Sequence, residues 1–518
     1  MNLNRLPYLK SIILASAACL FSCSAAWSQS WELRTENIDS AFAVVSGKLK
    51  KEPFRPAYHL TPPAGSMGDP NGGIFYDGWY HIFYGLNPFA YYPSSWYWAH
   101  ARSRDLVHWE HMENGLTPAL ELGMHAIGSG STIATDDGKK LAFHSYALNK
   151  KMAFWRVEFT NKELSRWKHS KKNPVITLDH PGLPPFDGFW RDPFVFQADG
   201  RFFLIACADL LEENYVTVPI FESTDKELSN WEYKGELFRV PKHKYRNLEV
   251  PEFFPLKDKW IFMASTDAPV DRVNYFIGTF DLDKLRFTPE AEGPIDYSNQ
   301  YYAQETIKDD KGDLYILSWI PGWDREWIPT YMNEPLKNSN QLWNGAFSLP
   351  RKLLLRDGEL IQRPVDALKG LRAEHLSGSA MSLPVKGAFT ATFLSEEIRG
   401  DQLELHIKLD LLHASACGLN LLADSMGQGG LPVFWSGDVL TVDGISIPIK
   451  EWKTGEELSL EIFVDKKIVE VFVNGGKYCV SRQVREENIK GDRLAFTSLG
   501  GTARLVSIEG WKMKRLNF

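Results

Sequence analysis

Gly68-Asp69-Pro70-Asn71-Gly72-Gly73-Ile74-Phe75-Tyr76-Asp77-Gly78-Trp79-Tyr80-His81-Ile82-Phe83-Tyr84 is the stretch on which the reading of this chain turns. A carboxylate heads an apolar strand, an Asp-Gly turn follows, and an aromatic second strand returns, which is a hairpin signal. The unit recurs. Asp192 in Trp190-Arg191-Asp192-Pro193 precedes Phe194-Val195-Phe196, the turn Asp199-Gly200 and Phe202-Phe203-Leu204-Ile205. Glu249 in Glu249-Val250-Pro251-Glu252 precedes Phe253-Phe254, the turn Lys257-Asp258-Lys259 and Trp260-Ile261-Phe262. Gly130 to Ala134 with Asp137-Gly138, and Leu314 to Trp319 after Lys311-Gly312, supply further copies.

A second marker repeats out of phase with the first. Leu106…Trp109, Leu164…Trp167 and Leu228…Trp231 share the form Leu-x-x-Trp, with Leu285 and Phe287 as a degenerate fourth copy. The tryptophans are 58 and 64 residues apart, and the blade-heading residues Asp69, Ser129, Asp192 and Pro251 are 60, 63 and 59 apart. Two markers with one period argue for a structural repeat. A unit near sixty residues with four short strands matches a propeller blade with long loops, and five copies fit before Pro350. The first strand of each blade lines the central channel, so Asp69, Asp192 and Glu249 are expected to converge at one mouth of it.

After Arg356 the pattern changes. Val365 to Ala373 reads as a short helix or linker, and strands then alternate more regularly, at Ala388–Leu394, Leu403–Leu409, Val439–Val442, Leu458–Val464 and Ile468–Val473. Many short antiparallel strands in so few residues suggest a β-sandwich. The expected architecture is therefore all-β: a five-bladed β-propeller over 40–360, a linker over 361–376 and a C-terminal β-sandwich over 377–518.

A chain of 518 residues exceeds one comfortable core. A net charge of −7 gives no reason to expect nucleic acid or an anionic membrane as partner. Residues 1–28 read as an export signal: Arg5 and Lys10 precede an apolar run from Ile12 to Phe21, too short to span a bilayer, with small residues after it. A secreted or periplasmic protein is expected. Leu20-Phe21-Ser22-Cys23 resembles a lipobox, so attachment to the cell surface through Cys23 is the alternative. Cys207, Cys417 and Cys479 are an odd number beyond that segment, so no disulfide framework underlies the fold. No metal-ligand spacing is present, and no cofactor is implied.

Taken together and in order, these motifs resemble glycoside hydrolase family 32, the invertases, inulinases, levanases and related fructosidases. The resemblance rests on Asp69-Pro70-Asn71-Gly72, Asn87-Pro88-Phe89, Ala99-His100-Ala101, Asp105-Leu106-Val107-His108-Trp109-Glu110, Ser129-Gly130-Ser131, Trp190-Arg191-Asp192-Pro193 and Glu249, and it extends to Val469-Glu470-Val471-Phe472-Val473-Asn474-Gly475-Gly476. It implies a propeller-plus-sandwich fold, agreeing with the repeat count, and a carbohydrate substrate.

Glycoside hydrolysis commonly uses two carboxyl groups, about 5–5.5 Å apart in retaining enzymes. Asp69 is the candidate nucleophile and Glu249 the candidate general acid/base. Asp192, with Arg191, is the candidate stabiliser of an oxocarbenium-like transition state. The resemblance gives the three acids these same roles. Ser129 matches a family position near the bound sugar, and Arg191, Asn71 and His100 join it as candidate substrate contacts, His100 being readable equally as a core residue. Glu252 competes with Glu249, because strand alternation would put residues 249 and 252 on opposite faces and only one toward the pocket. An ordinary turn aspartate at 69 and a structural ion pair at 191–192 are the plainer readings.

Val250 follows Glu249 where the family usually has Cys, and three pocket positions depart from the family as well. Gly68 stands where its nucleophile motif begins with Asn, Gly85 where it has Gln, and Pro93 where a pocket Trp is common. Losing two amides and a ring should reshape the pocket for the terminal sugar, since buried hydrogen bonds discriminate strongly. The expected activity is cleavage of terminal β-fructofuranosidic bonds in sucrose or fructans. A different furanoside, a decorated glycan or a transferase is the alternative.

Overall fold

A computed structural model describes residues 49, 52–88, 97–119, 124, 126–148, 151–210, 214–267, 270–322, 342–383, 391–450 and 452–516. The expected leader with Cys23, and Pro93, lie outside the described residues.

Five antiparallel sheets follow one another along the chain, and their innermost strands are Gly65–Tyr76, Gly130–Ala134, Phe186–Ala198, Glu249–Leu256 and Tyr302–Lys308. Each inner strand packs on the inner strands either side of it, and the fifth returns to the first, so the sheets form a closed ring of five blades. The ring is latched by sequence-distant pairing. Trp343–Asn344, from the far end of the repeat, runs parallel to the first inner strand, with Gly65 opposite Trp343 and Ser66 opposite Asn344.

The two sequence markers have separate physical causes. The hairpin turns hold Asp77, Asp199 and Lys257 at positive φ. Leu106, Leu164, Leu228 and Leu285 also adopt positive φ, from 51° to 68°. For a leucine this costs roughly 1–2 kcal/mol. Full burial of each side chain returns about 1.5–3 kcal/mol, and all four are buried. The turn is also held by a side chain before it: Asp105 Oδ1 accepts from Val107 N and His108 N, Asn161 Oδ1 from Ser165 N, Asp225 Oδ1 from Ser229 N, and Asp281 Oδ1 from Lys284 N. Leu285 thus belongs to the series although its tryptophan is missing.

The fifth blade closes at Glu359–Pro364, a short 3-10 helix spans Asp366–Leu371, and the strand Arg372–Gly378 already belongs to the next domain. The sandwich therefore starts before residue 377, because the link is a six-residue 3-10 helix rather than a sixteen-residue spacer. Its two sheets hold seven and six strands and enclose a core that includes Leu405, Leu419, Trp435, Ile462, Val471 and Phe496.

The domains are joined by buried charge as well as apolar contact. His59 Nδ1 bonds to Asp465 Oδ2 at 2.8 Å and His59 Nε2 to Glu470 Oε1 at 3.1 Å. Asp465 also accepts from the Tyr58 and His59 backbone N–H groups at 2.8 and 2.9 Å. Arg351, wholly buried, donates to Asp296 Oδ2 at 3.0 Å, Glu470 Oε2 at 2.6 Å and Ser481 Oγ at 2.6 Å. Desolvation alone would discharge His59, but its two carboxylate partners raise its pKa to about 9. Glu470 is held down to about 2 against the cost of its burial by Arg351 and His59.

Candidate active site

The inner strands are not regular, and their irregularity builds the site. In the third blade the register slips between Arg191 and Phe194, in the fourth between Glu249 and Glu252, and in the fifth between Tyr302 and Gln304. The residue inside each slip has positive φ: Asp192 at 61°, Val250 at 50° and Ala303 at 49°. These are β-bulges, which re-aim side chains at a strand's end. Arg191, Glu249 and Tyr302 are thus equivalent positions of three successive blades, and Asp192 is the equivalent of Val250 rather than of Glu249.

The bulge also corrects the expectation that residues 249 and 252 face opposite ways. Glu249 lies opposite Ser265 and Glu252 opposite Met263, so two residues between them on one strand face one on its neighbour. The extra residue cancels the alternation, and both carboxylates turn to the channel side.

The expected groups meet. Arg191 Nη2 donates to Glu249 Oε1, and Arg191 Nε lies 3.9 Å from Asp192 Oδ2. Val250 N, freed from the sheet ladder by the bulge, donates to Asp192 Oδ2 at 2.9 Å. Glu249 accepts two further bonds, from Asn247 Nδ2 at 2.9 Å and from the Tyr302 hydroxyl to Oε2 at 2.9 Å. Asp69 belongs to the same electrostatic unit, since its charge acts on both Arg191 and Asp192. Its Oδ2 accepts from Ser129 Oγ at 2.5 Å.

Burial pushes the Asp192 carboxyl up to about 7, with Glu249 and Asp69 adding to the rise and Arg191 and Val250 N opposing it. Desolvation works against the charge of Arg191, yet Glu249 and Asp192 hold its pKa above the ordinary value. The site is an anionic cluster bound together by one guanidinium. A cationic, electron-poor sugar carbon suits it.

The candidate contacts divide into two groups. Ser129 and Arg191 touch the carboxylates directly. Asn71 is buried as a brace: its Nδ2 donates to the Asp69 carbonyl at 2.8 Å, and its Oδ1 accepts from Gly130 N at 3.0 Å, tying the first blade to the second. His100 is buried in the first blade, stacked on Phe83 with ring centroids 4.3 Å apart and bonded to His81 at 3.0 Å. Gly68 lies in a register slip between Met67 and Pro70, and Gly85 opposite Trp98. Tyr302 and Asn247 were not expected from the sequence. Register equivalence with Arg191 and Glu249 is the signal that finds Tyr302.

Among the described residues, those that could hold a metal are Glu404, His406 and Glu461 in the sandwich, with ligand atoms within 4.8 Å of one another. They do not suit one. Arg372 engages both Glu404 oxygens, and bonds to Glu404 and Glu461 raise the His406 ring to about 9, so it carries a proton where a metal would bind.

Comparison with known proteins bears on the same residues. Residues 59–364 match the family described as glycosyl hydrolases family 32 N-terminal domain, and residues 379–512 match its C-terminal counterpart. A sucrose-6-phosphate hydrolase of Vibrio alginolyticus is 26% identical over 456 residues, covering 82% of this chain and 85% of that protein. A raffinose invertase of Escherichia coli is 26% identical over 449 residues, covering 83% and 89%. Among solved structures, fructan 1-exohydrolase IIa from Cichorium intybus superposes with a TM-score of 0.76 at 22% identity, covering 90% of this chain and 98% of its own.

Proposed function

The chain belongs to glycosyl hydrolase family 32 and is a glycoside hydrolase; from that premise we propose that it cleaves terminal β-fructofuranosidic bonds of sucrose or fructans with retention of configuration. Asp69 attacks the anomeric carbon of the fructosyl unit while Glu249 gives a proton to the leaving oxygen, forming a covalent fructosyl–enzyme ester. Glu249 then takes a proton from water, which attacks the same carbon and releases fructose and the Asp69 carboxylate. Asp192 accepts hydrogen bonds from sugar hydroxyls and its charge favours the oxocarbenium-like transition state. Arg191 holds Glu249 and Asp192 in register, Tyr302 and Asn247 fix the Glu249 carboxyl, and Ser129 fixes Asp69.

The observation that carries this reading is Arg191, one guanidinium shared by Glu249 and Asp192 with Asp69 in the same field. Gly68 and Gly85, which replace amide side chains, favour a sugar-reading shell altered from the family pattern. The leader read from residues 1–28 supports export, with anchoring at Cys23 as the variant of that reading.

The test is incubation with sucrose, inulin, levan and a broader panel of furanosides, following released fructose, with Asp69→Asn and Glu249→Gln as controls. Release by the wild type and its loss in both variants is expected. A wild type inert on every fructoside but active on another furanoside overturns the substrate assignment.

A further inference from the structure

Val250 follows Glu249 on the chain and aims it, yet its residue type is poorly suited to its backbone. It is β-branched, stands before Pro251 and holds φ at 50°. A β-branched side chain crowds its own backbone there, and proline favours an extended residue ahead of it. Such a conformation persists only where the surroundings over-determine it.

Two neighbouring blades do so. Val250 N donates to Asp192 Oδ2 of blade three at 2.9 Å. The Val250 carbonyl accepts from Gln304 Nε2 of blade five at 2.6 Å. Gln304 is wholly buried, and so is its own partner, Ser265. Ser265 Oγ donates to Gln304 Oε1 at 3.2 Å and accepts from Ala303 N at 2.8 Å. The network orients the amide: a carbonyl can only accept, so Nε2 faces Val250, and the serine turns its hydrogen to Oε1.

Ser265 and Gln304 thereby join two bulges. Val250 is the bulge residue after Glu249, and Ala303 the bulge residue after Tyr302. One amide holds the first and its hydroxyl partner holds the second. The side chains that precede them meet above, where the Tyr302 hydroxyl donates to Glu249 Oε2 at 2.9 Å. Ser318 Oγ adds a bond to the Tyr302 carbonyl at 2.7 Å. Blade three has a comparable brace: Ser131 Oγ donates to the Pro193 carbonyl and accepts from Val195 N, both at 3.0 Å, just past Asp192.

We infer that Gln304, oriented by Ser265, is a positioning residue for the acid of the reaction: it clamps Val250 at positive φ and so sets where the Glu249 carboxyl points. The inference rests on the reading of Glu249 as general acid. Gln304 bonds to a backbone carbonyl and a hydroxyl, and it acts on the chemistry through Val250.

Gln304→Met keeps the length of the side chain and removes both polar ends. Two donors that form the same Asp69 ester separate its effects. Sucrose leaves as an alkoxide that needs the Glu249 proton. In β-fructofuranosyl fluoride the C–F bond breaks, fluoride departs with its electron pair, and the demand for a proton is small. The bond that Asp192 loses if Val250 moves weakens both reactions alike, so it cancels in their ratio. The expected fall in kcat/KM is roughly tenfold greater on sucrose than on the fluoride, the scale of a misplaced acid. Equal losses on both donors, or no loss on either, overturn the inference.

A wild type that cleaves neither donor counts against the fructosidase reading, and the backbone then decides the clamp. In a crystal structure of Gln304→Met, Val250 is expected to leave positive φ and the bond between Tyr302 and Glu249 to open. An unmoved bulge overturns the inference. Where Gln304→Met does not fold, Ser265→Ala frees the same amide and is held to the same two readouts.

Discussion

Arg191 and Glu249 occupy the same position in successive blades, 58 residues apart, and the first donates to the carboxylate of the second. A structural repeat has here been converted into a chemical pair. The guanidinium also faces Asp192, so its planar fork serves two acids at once. Arg191→Ala is expected to lower kcat/KM on the order of a hundredfold or more, the scale of removing one preorganised donor. Lysine should not restore it, because a single ammonium cannot reproduce the fork. Steady-state kinetics on any fructoside turned over by the wild type measures both.

Tyr302→Phe removes one hydroxyl bond to Glu249 Oε2 while keeping the ring, which is buried with Val250, Ala303 and Trp319. A fall in kcat of roughly fivefold to tenfold is expected, matching about 1 kcal/mol for one hydrogen bond. The thermal midpoint should move little. A variant as fast as the wild type would show that Arg191 and Asn247 suffice to place the acid.

Asp192 sets function against stability. Its pKa rises from 3.8 to about 7 on folding, chiefly through burial. The native carboxylate therefore weakens the fold by an amount absent below about 3.8, growing as pH rises and complete above about 7. Asp192→Asn keeps an oxygen for Val250 N and removes the charge. The variant should be inactive, yet more stable than the wild type at pH 8 by on the order of 2 kcal/mol, with the gap closing toward pH 4. Paired denaturant titrations at the two pH values check the sign.

His59 has the same sign as Asp192 but acts in a higher pH window. Its pKa is raised from 6.5 to about 9 by Asp465 and Glu470 against desolvation, so the stability it confers is full below about 6.5 and lost as pH rises through 9. His59→Gln leaves two buried carboxylates short of a positive partner. A loss of about 3 kcal/mol at pH 6 is expected, and the wild type's decline between pH 6.5 and 9 should shrink in the variant. Thermal melts across that range provide the measurement.

These contrasts show what the sequence could and could not disclose. The blades were legible because turn chemistry is local: Asp-Gly corners and the Leu-x-x-Trp turn impose a period that needs no tertiary knowledge. The sandwich strands were legible for the same reason, and Ile468–Val473 falls where the pattern placed it. The bulges were not legible. Val250 has no residue-type signal for positive φ, so simple alternation set Glu249 against Glu252 when the backbone turns both to the channel. Tyr302 was not singled out by the sequence, because its partner is 53 residues away. The His59–Asp465 bond spans 406 residues, beyond any pattern a single chain displays.

The configuration of the first product formed is the most direct test of the claim that Asp69 and Glu249 act as nucleophile and acid/base across one sugar. With methanol as acceptor and a β-fructofuranoside as donor, a covalent ester on Asp69 requires two inversions and yields the methyl β-fructofuranoside. Detection of that anomer by NMR before secondary hydrolysis is the expected result. Formation of the methyl α-fructofuranoside instead, from a single displacement by solvent, contradicts the assignment of Asp69.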